Sequence, residues 1–299
     1  MRLVRFETPA GVQVGRIESD DTVVPIAGTV LDNARRATRE PGWVAPATGD
    51  PLSLAQLTLE APVERPGSLR DFYAFERHVA TARAGRGLEM DPGWYERPVF
   101  YFSNPGALLG PGADVATHPR TQRLDFELEL AWVVGWDVAG ADEDAAAQAI
   151  VGYTVMNDWS ARDVQREEMA LNLGPAKGKD FATSLGPVLV TADEFDPRHG
   201  AMRAWVNGRL YSEADLGECY WSIPAMTAYA AEATVVREGD VCGTGTCGTG
   251  CILELSLTHG EEQYPWLQPG DVVELEIEGI GRLANRVVAT SSPPWRSGG

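Results

Sequence analysis

Positive charge is what this sequence has least of. Against 43 Asp and Glu it sets 25 Lys and Arg over 299 residues, a formal net charge of −18. Such a field repels phosphate backbones and anionic bilayer surfaces, which excludes nucleic acid and membrane as partners and requires a local cation for any anionic ligand. Histidine is scarce too: His78, His118, His199 and His259 are scattered without a close pair, which argues against a zinc site. Of the four cysteines, Cys219 stands apart, and Cys242, Cys247 and Cys251 fit no iron–sulfur ligand run. They read as reduced structural residues. Long apolar runs are missing as well. The opening MRLVRFETPAGVQVGRI alternates apolar and polar residues, unlike a signal peptide or a membrane span, so the expected location is the cytoplasm.

What is present suits a globular fold. A hydrophobic content of 44% supports a sizeable core. Strand-like runs over 3–6, 12–17 and 22–26 predict a small amino-terminal β module, and the Pro-rich stretch 40–66 reads as a connection, placing a boundary near residue 65. Beyond it, runs at 124–134, 151–156, 188–191, 203–206 and 272–277 predict a larger, mainly β (α+β) part over 66–299. Helices are expected at 143–150, 160–169 and 223–232, the second opened by a capping box of Ser160 and Asp163.

The chemistry concentrates in Asp125-Phe126-Glu127-Leu128-Glu129-Leu130, whose alternation puts three carboxylates on one strand face. A solvated outer face and a ligand site both fit that pattern. A further carboxylate, Asp158, ends the run GYTVM where the chain turns toward the 160s helix, and Arg162 and Gln165, three apart, share a face beside it. Asp158 reads either as a helix cap or as part of a site. Carboxylates converging in one cleft raise one another's pKa unless a cation neutralises them, and hard oxygen ligands suit Mg²⁺, Mn²⁺ or Ca²⁺. The run Gly243–Gly250 lacks the Gly-Lys-Ser/Thr ending of a phosphate loop and reads as a tight pocket wall.

These residues lie in blocks that resemble, in order, the signatures of the fumarylacetoacetate hydrolase superfamily: RDFYAFERH, DFELELAWVVG, NDWSARDVQ, GPAKGKDFATSLGP, GTGTCGTGCILELS and QPGDVVELEIEGIGRLANRVV, spanning about 68 to 288. The resemblance implies a small amino-terminal β domain followed by a mixed β-sandwich roll, usually a homodimer. It implies a divalent cation, Mg²⁺ first, on Asp71, Glu127, Glu129 and Asp158. It implies His78 as general base oriented by Glu254, with Arg162, Gln165 and Lys179 stabilising developing negative charge. Tyr101 and Thr246 fall where the family contacts the acid end of its substrate, although Tyr101 also reads as an aromatic of a β core. Lys177 reads as solvated. Met169 stands about where animal members carry a substrate-contacting tyrosine.

The activity so implied is metal-dependent hydrolysis of a carbon–carbon bond in a small anionic 1,3-dicarbonyl or oxo acid, with water activated by His78 and Glu254. Isomerisation, hydration or decarboxylation of 2-oxo-dioates in aromatic catabolism is the alternative within the superfamily. A metal- or oxo-acid-binding protein without turnover is the alternative from another class.

Overall fold

The computed structural model describes residues 1–19 and 22–292. It has the mainly β architecture expected, with two extended sheets packed face to face. The larger sheet runs Leu52–Ser53, Thr22–Ile26, Gly11–Ser19, Arg2–Thr8, Thr183–Thr191, Ile150–Asp158, Leu128–Val134, Val241–Gly243, Leu69–Phe72, Phe100–Ser103. The amino-terminal strands join it directly, since Arg2–Thr8 pairs antiparallel with Thr183–Thr191. The second sheet is built from Arg209–Asp215, Ala201–Val206, Val272–Ile277, Gly281–Val288 and Asp114–Ala116.

The central strand Leu128–Val134 is buried along its whole length. Strand side chains alternate faces, so it feeds two cores. Leu128, Leu130, Trp132 and Val134 pack with Val273, Leu275, Ile277 and Leu283 of the second sheet. Ala131 and Val133 face the other way, with Leu69, Met156 and Leu189 and with Val30 and Ala34 of the helix Val30–Arg39. That parity governs the site: Glu129 shares the face of Ala131, Asp71 that of Leu69, and Asp158 that of Met156. Three strands of this sheet, two adjacent and the third one strand further along, thus aim one carboxylate each at the same side.

Two of the predicted helices form with the caps their sequences carry. Glu143–Ala149 starts at Asp142, whose carboxylate accepts from the Ala145 N–H at 2.8 Å, and Ile223–Ala230 starts at Ser222, which accepts from the Ala225 N–H at 3.1 Å. The third differs. The helix is Arg162–Ala170, with Ala161 at its N-cap and no side-chain cap, because Ser160–Ala161 is drawn into a short strand against Leu124–Asp125. Ser160 instead donates to the Asp158 carbonyl at 3.0 Å, and Asp163 reaches away to accept from Thr121 Oγ1 at 2.5 Å and the Gln122 N–H at 2.7 Å. The capping box is absent for that reason. Among the described residues no helix is long and apolar enough to cross a membrane.

Candidate metal centre

Asp71, Glu127, Glu129 and Asp158 converge, each offering an oxygen within 4.8 Å of the others, and all four are buried. Asp71 lies in register with Gly243, which in turn lies in register with Ala131, so Asp71 and Glu129 flank a glycine. A Cβ at Gly243 would stand 2.7 Å from Glu129 Oε2, 3.0 Å from Asp71 Oδ1 and 2.1 Å from Met156 Cε. Glycine is therefore required to make room for the carboxylates. Next in chain, Gly245 adopts φ +80°, where a Cβ would meet the Phe72 carbonyl oxygen at 2.4 Å, and its N–H donates to Glu129 Oε2 at 3.0 Å. The glycine run is a wall of this site, as its composition predicts.

The alternating run does not form one continuous strand. Leu124–Asp125 pairs with Ser160–Ala161, the chain then leaves that ladder, and Leu128–Val134 enters the main sheet. Glu127, in the break, is held through its backbone: its N–H donates to Asn157 Oδ1 at 3.0 Å, and it bridges to Cys251. Of the two readings of that run, the solvated face is not found, since every residue from Leu124 to Val134 is buried. Asp125 also stands apart from the other carboxylates. It accepts from Arg162 Nε at 2.8 Å and from the Ile252 and Leu253 N–H groups at 2.6 and 3.0 Å, capping the helix Ile252–His259, whose own N-cap residue Cys251 gives no side-chain cap.

Two cations reach into the cluster. Lys179 Nζ stands 2.6 Å from both Glu127 Oε2 and Asp158 Oδ2, and Arg162 Nη2 stands 2.7 Å from Glu127 Oε1 while Nη1 donates to Gln165 Oε1 at 3.1 Å. Burial opposes ionisation of Glu127, but Lys179 and Arg162 overcome it and hold its pKa well below the usual range. Burial and the neighbouring Asp158 push Asp71 well above it, and burial and Asp71 do the same to Glu129. Burial raises Asp158 less decisively, because Lys179 pulls it back. Tyr101, opposite Asp71 in the ladder, donates to Asp71 Oδ2 at 3.0 Å and to Asp158, so its ring is a polar contact of the cluster rather than core packing.

The donor set fits a hard divalent cation. Asp71 Oδ1, Glu129 Oε1 and Asp158 Oδ1 are buried acceptors that no N–H or hydroxyl donor among the described residues reaches, the carboxyl groups of Asp71 and Glu129 facing each other. Buried carboxylate oxygens are rarely left so, and a cation coordinated by oxygen accounts for all three at once.

Beside the cluster, His78 on the helix Glu76–Ala84 stands with Nδ1 3.0 Å from Glu254 Oε2, and the Tyr73 ring packs edge-on at 5.6 Å. Thr246 is buried in the glycine wall and Gln165 is half-buried. Lys177, as expected, is outside, paired with Asp180 at 2.9 Å. All four cysteines are free. A cavity of about 1170 Å³ is an open groove along Phe195 and Trp221 that meets the site's strands at Leu130, Ile150 and Tyr153 and is lined by none of the four converging carboxylates. The site is therefore located by converging chemistry and not by volume.

With this geometry established, comparison defines the class. Residues 68–288 match the fumarylacetoacetate (FAA) hydrolase C-terminal family and residues 1–62 the Rv2993c-like N-terminal family, so the chain belongs to the fumarylacetoacetate hydrolase superfamily. The oxaloacetate tautomerase YisK of Bacillus subtilis is 27% identical over 289 residues, covering 96% of this chain and 89% of that protein. The fumarylacetoacetate hydrolase of Exiguobacterium antarcticum superposes with a TM-score of 0.78 at 27% identity, covering 97% of this chain and 100% of that one. A 5-carboxymethyl-2-hydroxymuconate delta-isomerase of Mycobacterium smegmatis superposes at 0.74 and 28% identity with the same coverage.

Proposed function

We propose that this protein is a divalent-cation-dependent enzyme that interconverts tautomers or double-bond isomers of a small 2-oxo dicarboxylate. The observation that carries the reading is the orphaned oxygens of Asp71, Glu129 and Asp158 beside a buried Lys179 and Arg162. The tautomerase and isomerase named above, similar over nearly the whole chain, support this chemistry over bond hydrolysis. Held by Asp71, Glu127, Glu129 and Asp158, with Mg²⁺ the first choice, a cation supplies Lewis acidity toward the paired oxygens of a 2-oxo acid.

The chain's own groups do the rest. His78 takes and returns the proton at Nε2 while Glu254 holds Nδ1. Lys179, Arg162 and Gln165 stabilise the negative charge that develops as the proton leaves carbon. Thr246 presents a hydroxyl to a terminal carboxylate, and Tyr101, whose hydroxyl bonds Asp71 and Asp158, lines that end of the pocket from the cation ligands. Hydrolysis is the second reading, favoured by the His78–Glu254 contact at 3.0 Å, which suits activation of water.

A turnover screen separates them. Chelator-treated protein is resupplied with Mg²⁺ or Mn²⁺ and given enol oxaloacetate, unsaturated 2-oxo-dioates, acylpyruvates and fumarylacetoacetate. Metal-dependent loss of enol absorbance with no new acid product supports the tautomerase reading. Release of two acids from an acylpyruvate replaces it with hydrolysis, and tight cation and oxalate binding with no turnover on any of these would sink both.

A further inference from the structure

One cluster beside the carboxylates has a different chemical character. His78 Nδ1, Cys251 Sγ and Glu254 Oε2 lie within 4.8 Å of one another, with Nδ1 3.0 Å from Oε2 and 4.0 Å from Sγ, and the three residues are 4%, 0% and 2% exposed. They come from two helices that pack together: His78 from Glu76–Ala84, Glu254 from the first turn of Ile252–His259, and Cys251 from the latter's N-cap. Cys251 is free to coordinate, because it makes no cap hydrogen bond and Asp125 takes over that duty.

We propose that His78, Cys251 and Glu254 form a second, nitrogen–sulfur–oxygen site that takes Zn²⁺ or another thiophilic divalent ion and thereby switches the enzyme off. A tetrahedral zinc with about 2.0 Å to nitrogen, 2.1 Å to oxygen and 2.3 Å to sulfur sets neighbouring ligand atoms about 3.3 to 3.6 Å apart. The observed separations of 3.0 and 4.0 Å bracket that range, so small side-chain adjustments close the site. One thiolate and one carboxylate neutralise the ion as the Cys251 thiol gives up its proton on binding, and the chain supplies three ligands. The hard-cation cluster offers only oxygens, so sulfur makes this second site selective for soft ions. Occupancy removes the Nδ1 contact between His78 and Glu254 on which the proposed proton transfer rests. Binding itself does not depend on that reading.

The test uses Co²⁺ as a spectroscopic stand-in for Zn²⁺, added to full-length protein whose oxygen site is kept filled by excess Mg²⁺. A thiolate-to-cobalt charge-transfer band is expected in the wild type, absent in Cys251→Ser and weakened in Glu254→Gln. This readout needs no turnover, so it stands or falls apart from the proposed function. In the assay, Cys251→Ser keeps its Mg²⁺-dependent rate while the Zn²⁺ concentration for half-inhibition rises at least about 10-fold. No charge-transfer band in the wild type, or a band or zinc sensitivity unchanged in Cys251→Ser, overturns the proposal. If Cys251→Ser does not fold, the same comparison is made with Cys251→Ala, and a band surviving in both folded Glu254→Gln and wild type at equal strength likewise removes Glu254 from the site.

Discussion

Glu127 and Glu129 stand two residues apart and are both buried, yet their surroundings make them different groups. Glu127 is ionised between Lys179 and Arg162, whereas Glu129 is held toward its neutral form by burial and by Asp71. Amide substitutions should therefore part in the cation-free protein. Glu127→Gln leaves two buried cations short of a partner and lowers unfolding free energy by about 3 kcal/mol. Glu129→Gln keeps an oxygen for the Gly245 N–H and stays within about 1 kcal/mol of wild type. Both lose Mg²⁺ affinity by about 100-fold or more. Denaturant unfolding without cation and calorimetric Mg²⁺ titration check the pair, and equal destabilisation by both would contradict the charge states. At this scale the four carboxylates, His78, Glu254 and Lys179 are legible in sequence through the ordered motif blocks. Asp125 is not. Its alternation with Glu127 and Glu129 implies a shared face, but the ladder breaks between Asp125 and Leu128, so parity stops counting there.

At the scale of elements, periodicity finds strands well and tells less about short helices at the site. Glu76–Ala84 and Ile252–His259 carry His78 and Glu254, yet both start without a side-chain cap of their own, at Phe75 and Cys251. The second is stabilised from outside by Asp125, a tertiary contact that no local pattern announces. Asp125→Ala should cost about 3 kcal/mol, since it strips a helix start and leaves the buried Arg162 guanidinium with Glu127 as its one carboxylate partner among the described residues, and it should depress kcat by misplacing both Glu254 and Arg162. By contrast, Asp142→Ala removes an exposed cap of Glu143–Ala149 and should cost about 1 kcal/mol with kcat unchanged. Thermal unfolding and steady-state kinetics on both variants measure the contrast. A full-rate Asp125→Ala would show that helix start and site are not coupled.

For the whole molecule, net charge −18 and a core of clustered carboxylates pull in the same direction: burial and neighbouring charge favour the protonated forms of Asp71 and Glu129, protons that a cation bound there would have to displace. Asp71 and Glu129 have folded-state pKa values raised well above those of the unfolded chain, first by burial and then by neighbouring charge. The sign follows from linkage. Groups raised in the folded state contribute stability that is fully present below their unfolded pKa and is lost as pH rises through the folded value. Cation-free protein should thus lose stability as pH climbs above the ordinary carboxylate range, whereas protein saturated with Mg²⁺, whose ligands are already ionised, should not. Because the cation must displace those protons, its affinity should rise with pH and its binding should release protons. At 100 times its Kd it should add about 2.7 kcal/mol to unfolding free energy. Titration of Mg²⁺ in two buffers of different ionisation enthalpy gives the proton count directly, and Tm with and without Mg²⁺ from about pH 5 to pH 8 gives the widening gap. Zero proton release together with a pH-independent Tm difference would mean that Asp71 and Glu129 stay ionised side by side without a cation, and that Lys179 and Arg162 alone balance the buried charge.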